Sequence, residues 1–141
     1  MAGARVLVAD GDRAVSEMLQ IRLEVAGYYP LAARNGPGVL DIMRNMRPAA
    51  LVLDLAIPEM DPFELLKILH NDRSRPPSPI LLIGKRLGIE EIKRAATLGV
   101  RTCMVKPFSG ADLLERVAKI LKAAHHPAAM SPAPVSGEVF V

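Results

Sequence analysis

Apolar residues recur along this chain in two alternating rhythms. Five short stretches, Arg5–Ala9, Tyr28–Ala33, Ala49–Asp54, Ile80–Ile83 and Thr102–Val105, are apolar at nearly every position. They are too short for helices and read as strands: Ala49–Asp54 and Ile80–Ile83 as strands buried on both faces of a sheet, and Tyr28–Ala33 as a weaker one. Between them the spacing becomes that of a helix face. Val15, Met18, Leu19 and Leu23 make the first such set, and Val39, Leu40, Met43 and Met46 a shorter second. Phe63, Leu66 and Leu69 make the third, and Ile89, Ile92, Ala96 and Leu98 the fourth. Leu113, Leu114, Val117, Ile120 and Leu121 carry the last helix to about Ala124.

The residues between these segments agree with their ends. Asp12 reads as the N-cap of the first helix and Gly27 as its C-terminal stop. Asn35-Gly36-Pro37-Gly38 reads as a turn, and Pro48 closes the second helix. Asp61-Pro62 is an N-cap followed by proline at the first helical position. Asp72–Pro79, with Arg73, Arg75 and three prolines, reads as an exposed loop. Gly99 stops the fourth helix, and Ser109 with Asp112 forms a capping box before the last. Strands alternating with helices five times predict an α/β fold: a parallel sheet, covered on both faces, with right-handed crossovers. The alternation does not give the strand order.

The 141 residues, 50% of them hydrophobic, suffice for one domain with its own core. That domain is expected over 1–124. From His125 to Val141 the chain turns to small residues and three prolines, which predicts a mobile tail. His125 and His126 read as tail residues rather than metal ligands, and Val139-Phe140-Val141 as a frayed end. No run approaches the roughly 18 apolar residues of a membrane span. The first five residues lack the apolar core of a secretory signal. The single cysteine, Cys103, excludes an internal disulfide and suits a reducing, cytoplasmic setting. The formal charge is +3, but the eighteen Lys and Arg are interleaved with fifteen acids, and Trp is absent. This argues against nucleic acid and for a solvated surface biased toward an acidic protein partner.

In a parallel sheet, the residues just beyond the strands' carboxyl ends share one rim, where ligand crevices form. Here they are Asp10-Gly11-Asp12, Asp54, Gly84 and Lys106. Taken alone, Asp54 reads equally as a reactive acid or as one that turns the chain into the next loop. Together, carboxylates gathered on one rim repel unless a cation sits among them. Mg²⁺ suits such oxygens, and Lys106 supplies a fixed positive charge. One acid left accessible can attack a phosphoryl group to form an aspartyl phosphate, its transferring oxygens stabilised by those cations.

Val6-Leu7-Val8-Ala9-Asp10, then Asp54 followed by Pro58, Met60 and Asp61, then Lys106-Pro107-Phe108, resemble in order the motifs of response-regulator receiver domains of two-component signalling. The resemblance covers about Arg5–Ala124. It implies a doubly wound, flavodoxin-like (CheY-like) sheet of five parallel strands in the order 2-1-3-4-5. It implies Asp54 as phosphoacceptor, Lys106 contacting the phosphoryl group across a Lys106–Pro107 bond that is often cis, and Mg²⁺ held by Asp10, Asp54 and the Ala56 carbonyl. It further implies a histidine kinase or phosphotransferase as donor, docking on the first helix. An unknown downstream protein, or a weak homodimer, would use the fourth helix, fifth strand and fifth helix, where Lys93, Arg94, Arg101 and Lys119 suit an acidic partner.

The chain also departs from that pattern. Gly11 stands where the family has the acid that binds metal directly, and Asp12 substitutes only if it leaves its capping role. Gly84 replaces the hydroxyl residue that bonds the phosphoryl group, and Lys85 follows it. Cys103 replaces the switching aromatic of the fifth strand. The missing carboxylate weakens Mg²⁺ binding, and the missing hydroxyl removes roughly 1.5–3 kcal/mol of preference for the phosphorylated state. Two readings follow. One is a stand-alone phosphoacceptor receiver in a phosphorelay; the other is a degenerate receiver that binds proteins without phosphorylation. A small enzyme on the same fold is the remaining class. With no Gly-rich phosphate loop after the first strand and no Ser–His–Asp or Cys–His set, the chain is read as a signalling protein, not an enzyme.

Overall fold

The computed structural model describes residues 3–74 and 76–125. Ten elements alternate: β1 (Arg5–Ala9), α1 (Arg13–Val25), β2 (Tyr29–Ala33), α2 (Gly36–Met46), β3 (Ala50–Asp54), α3 (Pro62–Asn71), β4 (Ile80–Gly84), α4 (Ile89–Thr97), β5 (Val100–Val105) and α5 (Gly110–His125). The strands form one parallel sheet in the order β2-β1-β3-β4-β5, as the resemblance implied. No helix among the described residues is long and apolar enough to cross a membrane.

Successive strand residues point to opposite sides of the sheet, so each side has its own core. Leu7, Ala9, Leu51, Leu53 and Leu82 pack with Val39 and Met43 of α2, Phe63 and Leu66 of α3 and Ala95 of α4. Val6, Val8, Ala50, Val52, Leu81, Ile83 and Met104 pack with Leu19 and Leu23 of α1 and Leu113, Val117, Ile120 and Leu121 of α5. Both sides of the three central strands are thus dry, which is why, apart from exposed Arg5 at the start of β1, those segments carry no polar residue until they reach the rim.

Caps set the helix ends. The Asp12 side chain accepts from the Val15 N–H at 3.2 Å, and that of Asp61 from the Phe63 N–H at 2.9 Å with Pro62 behind it. The Asp112 N–H donates to Ser109 Oγ at the head of α5. Gly27 and Gly99 follow α1 and α4 with φ of 95° and 88°, a conformation glycine adopts without strain.

Four expectations need correction. Asn35-Gly36-Pro37-Gly38 is not a free turn: Asn35 caps α2 by accepting from the Gly38 N–H, so the glycines form its first helical turn. Met18 lies off the α1 core face, half exposed, and Ser16 is buried there instead. On α4 the buried residue is Ala95; Ile89 is 70% exposed and Ala96 also faces water. Ile89 opens the helix, beyond the sheet's reach. β5 begins at Val100 because Val100 pairs with Ile80 across a register shift that leaves Arg101 out of the ladder. The predicted tail beyond His125, with His126 and Val139–Val141, lies outside the described residues, as does Arg75 of the loop before β4.

Candidate functional site

The register explains how residues far apart in the chain meet. Val6, Val8 and Asp10 share one side of β1, and Ala50, Val52 and Asp54 share the same side of β3. Ala9 pairs with Leu53, so Asp10 and Asp54 emerge side by side at the rim, over α1 and α5. Beyond β4, Gly84 pairs with Val105, and the Lys106 N–H donates to the Gly84 carbonyl at 2.8 Å. Lys106 follows the side of Met104. Its four-carbon stem crosses the width of β4, where strands lie about 4.8 Å apart, and its ammonium ends between the two acids. The Lys106–Pro107 peptide is cis.

Lys106 Nζ donates to Asp10 Oδ2 at 2.7 Å and to Asp54 Oδ2 at 2.6 Å. The other oxygen of each acid is also engaged. Asp10 Oδ1 accepts the Asp12 N–H, and Asp54 Oδ1 accepts the Ala56 N–H. The side chains are 1% exposed for Asp10, 8% for Asp54 and 13% for Lys106. Asp54 is therefore the acid nearer to an incoming group.

Electrostatics follow burial. Loss of water lifts the Asp10 carboxyl above its ordinary range, with Lys106 and the Asp12 amide opposing and the Asp54 charge adding to the rise. Burial works against the charge on Lys106, yet its two carboxylate partners more than offset this and raise its pKa. Lys106 is thus a cation throughout the physiological range.

The other predicted positions separate into present and absent functions. Asp12 caps α1 and does not enter the pocket. Gly84 carries no hydroxyl, and its neighbour across the rim is the Leu55 side chain. Cys103 is buried in the core against α2–α4, and burial pushes its thiol up to about 11. Lys85 is exposed and, with Val15, Met18, Leu19, Lys106, Pro107 and Phe108, lines a hollow of about 430 Å³ beside the pocket. Lys93, Arg94, Arg101 and Lys119 are all at the surface, Arg94 lying 4.3 Å over the Phe63 ring.

The donor set falls short of a divalent-ion site. Mg²⁺ takes near-octahedral oxygen ligands and is usually held by one or two carboxylates with several waters. Both acids here are already bonded to the lysine, and among the described residues no group of three or more His, Cys, Asp or Glu converges as ligands. Pro58, read from the sequence only as part of the motif after Asp54, also shapes the rim. A Cβ on Gly11 would lie 2.8 Å from Pro58 Cδ, so the proline ring occupies the space into which a side chain at position 11 would extend. A rigid ring four residues after Asp54 is visible in the sequence; its contact with Gly11 is not.

Comparison with known proteins agrees with this geometry. A family profile described as "Response regulator receiver domain" matches residues 6–118. "Response regulator MprA" of Mycobacterium sp. (strain KMS) is 35% identical over 118 residues, covering 84% of this chain and 50% of the relative. Its counterpart in Mycobacterium avium (strain 104) is also 35% identical, with 84% and 51% covered. The chain thus spans about half the length of the curated relatives it matches. Among solved structures, chemotaxis response regulator CheY4 of Vibrio cholerae superposes with a TM-score of 0.78 at 25% identity, over 84% of this chain and 99% of that one. A CheY-like response regulator receiver domain protein from Methanospirillum hungatei JF-1 shares the fold, with a TM-score of 0.83 at 24% identity over 89% and 99% of the two chains.

Proposed function

Since the chain belongs to the response regulator receiver family of two-component signalling, we propose that it is a phosphoacceptor in a phosphorelay and that Asp54 is the acceptor. The observation that carries this is the Lys106 ammonium held 2.6 Å from the more accessible of two converging carboxylates. In the transfer, an Asp54 oxygen forms the new P–O bond while the P–N bond of a phosphohistidine, or the P–O bond of an acyl phosphate, breaks. The leaving imidazole or carboxylate departs with the bonding electrons. Charge accumulating on the equatorial oxygens faces Lys106, which is positioned before the reaction and needs no reorganisation to stabilise it. Asp10 is 1% exposed and acts as the second anchor of the lysine rather than as nucleophile.

The partners follow from the family: a histidine kinase or phosphotransferase as donor, and a downstream protein reached by docking in the cytoplasm, with the chain acting as a signalling module and not as an enzyme. A second reading, a receiver that binds its partner without phosphorylation, is favoured by Gly11 and Gly84, which remove an acid and a hydroxyl from the rim. Incubation with acetyl or carbamoyl phosphate, with and without MgCl₂, followed by intact-mass measurement, separates the two. One added phosphoryl group on the wild type and none on Asp54→Asn is the expected result. No adduct under any of these conditions leaves the second reading.

A further inference from the structure

We infer that Lys106 is the resident cation of this pocket, standing in the charge-compensating role of a divalent metal, so that the unmodified protein does not take up Mg²⁺ at millimolar concentration. The inference deepens the reading of the same site but stands whether or not Asp54 accepts phosphate.

Three observations carry it. First, all four oxygens of Asp10 and Asp54 already accept hydrogen bonds from within the chain, two of them from one ammonium at 2.6–2.7 Å. A metal entering between these acids would have to displace that ammonium from both. Second, two carboxylates and one ammonium leave the cluster with a single net negative charge, so little electrostatic attraction remains for a divalent ion. Third, the positions that could add a carboxylate are closed. Gly11 has no side chain and faces the Pro58 ring, while the Asp12 carboxylate is occupied as the α1 cap.

The lysine and a metal then compete for the same carboxylates, and the lysine, being covalently attached, does so at a high effective concentration. Removing its charge while keeping its bulk should convert a site that ignores Mg²⁺ into one that binds it. The test uses the full chain, stripped of metal. Melting temperature, far-ultraviolet circular dichroism and calorimetric heat are followed while MgCl₂ is titrated into wild type, Asp54→Asn, Lys106→Arg, Lys106→Met and Lys106→Met/Asp54→Asn.

Wild type and Lys106→Arg should show no saturable response. Lys106→Met should gain one, with half-saturation at least about tenfold below any residual wild-type response, and the added Asp54→Asn should abolish it. If Lys106→Met is unfolded in metal-free buffer, recovery of its helical signal on adding MgCl₂ is the supporting result. Saturable Mg²⁺ binding by wild type that Asp54→Asn removes overturns the inference. So does a Lys106→Met protein that neither binds Mg²⁺ nor responds to it in folding or stability. No readout involves phosphate, so a failure of the phosphoacceptor reading leaves these outcomes unchanged.

Discussion

Replacing Lys106 by methionine isolates the energy stored in the rim. The side chains have similar bulk, so little cavity or overpacking is introduced. What changes is that two carboxylates, 1% and 8% exposed, lose their shared cation. Deleting one partner of a buried ion pair costs about 3–5 kcal/mol, because the charge left behind is neither solvated nor compensated. Because the lysine is only 13% exposed, solvent screening reduces this little. For a domain whose total stability is of the order of 5–15 kcal/mol, the loss is a large fraction. Urea unfolding followed by far-ultraviolet circular dichroism measures it, the chain having no tryptophan for fluorescence. The pH dependence supplies a sign that simple repacking would not. In the wild type the folded pKa of Lys106 is raised, so its stabilisation is complete below the ordinary lysine value of 10.5 and lost only as pH rises through the raised one. In Lys106→Met the Asp10 carboxyl, already lifted by burial, loses the lysine that opposes the rise, so stability falls as pH increases from its ordinary value of 3.8 through the raised one. The deficit should therefore be full at pH 7 and shrink toward about pH 4. A deficit below about 1 kcal/mol at pH 7, or one that does not vary with pH, refutes the account.

Three further outcomes follow from single contacts. Asp12→Ala removes the acceptor for the Val15 N–H and should cost about 0.5–2 kcal/mol in urea unfolding, leaving the charged pocket intact. Gly11→Ala brings a methyl group against Pro58 Cδ at 2.8 Å and should cost roughly 1–3 kcal/mol by overpacking; an unchanged urea midpoint would mean that the Pro58 turn yields freely. Cys103 has a thiol raised from 9.0 to about 11, so between those pH values only the unfolded chain ionises and stability falls as pH rises. At about 1.4 kcal/mol for each step of one in pKa, wild type should lose about 2–3 kcal/mol more than Cys103→Ala across that range. The contribution of Lys106 cancels in the difference.

Much of the molecule is determined by the sequence alone, because burial acts residue by residue and leaves a local periodic record. The doubly apolar stretches identify central strands, and two-residue spacing groups Asp10 with Val6 and Val8 and Asp54 with Ala50 and Val52; that both sets face the same side of the sheet comes from the register. Asp12, Asp61 and Ser109 mark helix starts because a cap is a contact within three residues. Strand order left no such local record; it entered through the resemblance alone.

Lys106 illustrates what the tertiary structure decided. Along β5, Val100 faces the α2–α4 side, but the register shift that leaves Arg101 unpaired puts Thr102 and Met104 on the other side, and Lys106 with them. Without that one-residue slip the lysine would leave the sheet on the opposite face from the acids. The same holds for the Pro58 ring against Gly11 and for Ala95, not Ile89, beneath α4. Each depends on pairing or packing between segments tens of residues apart, and long-range register leaves no trace in the spacing of neighbours.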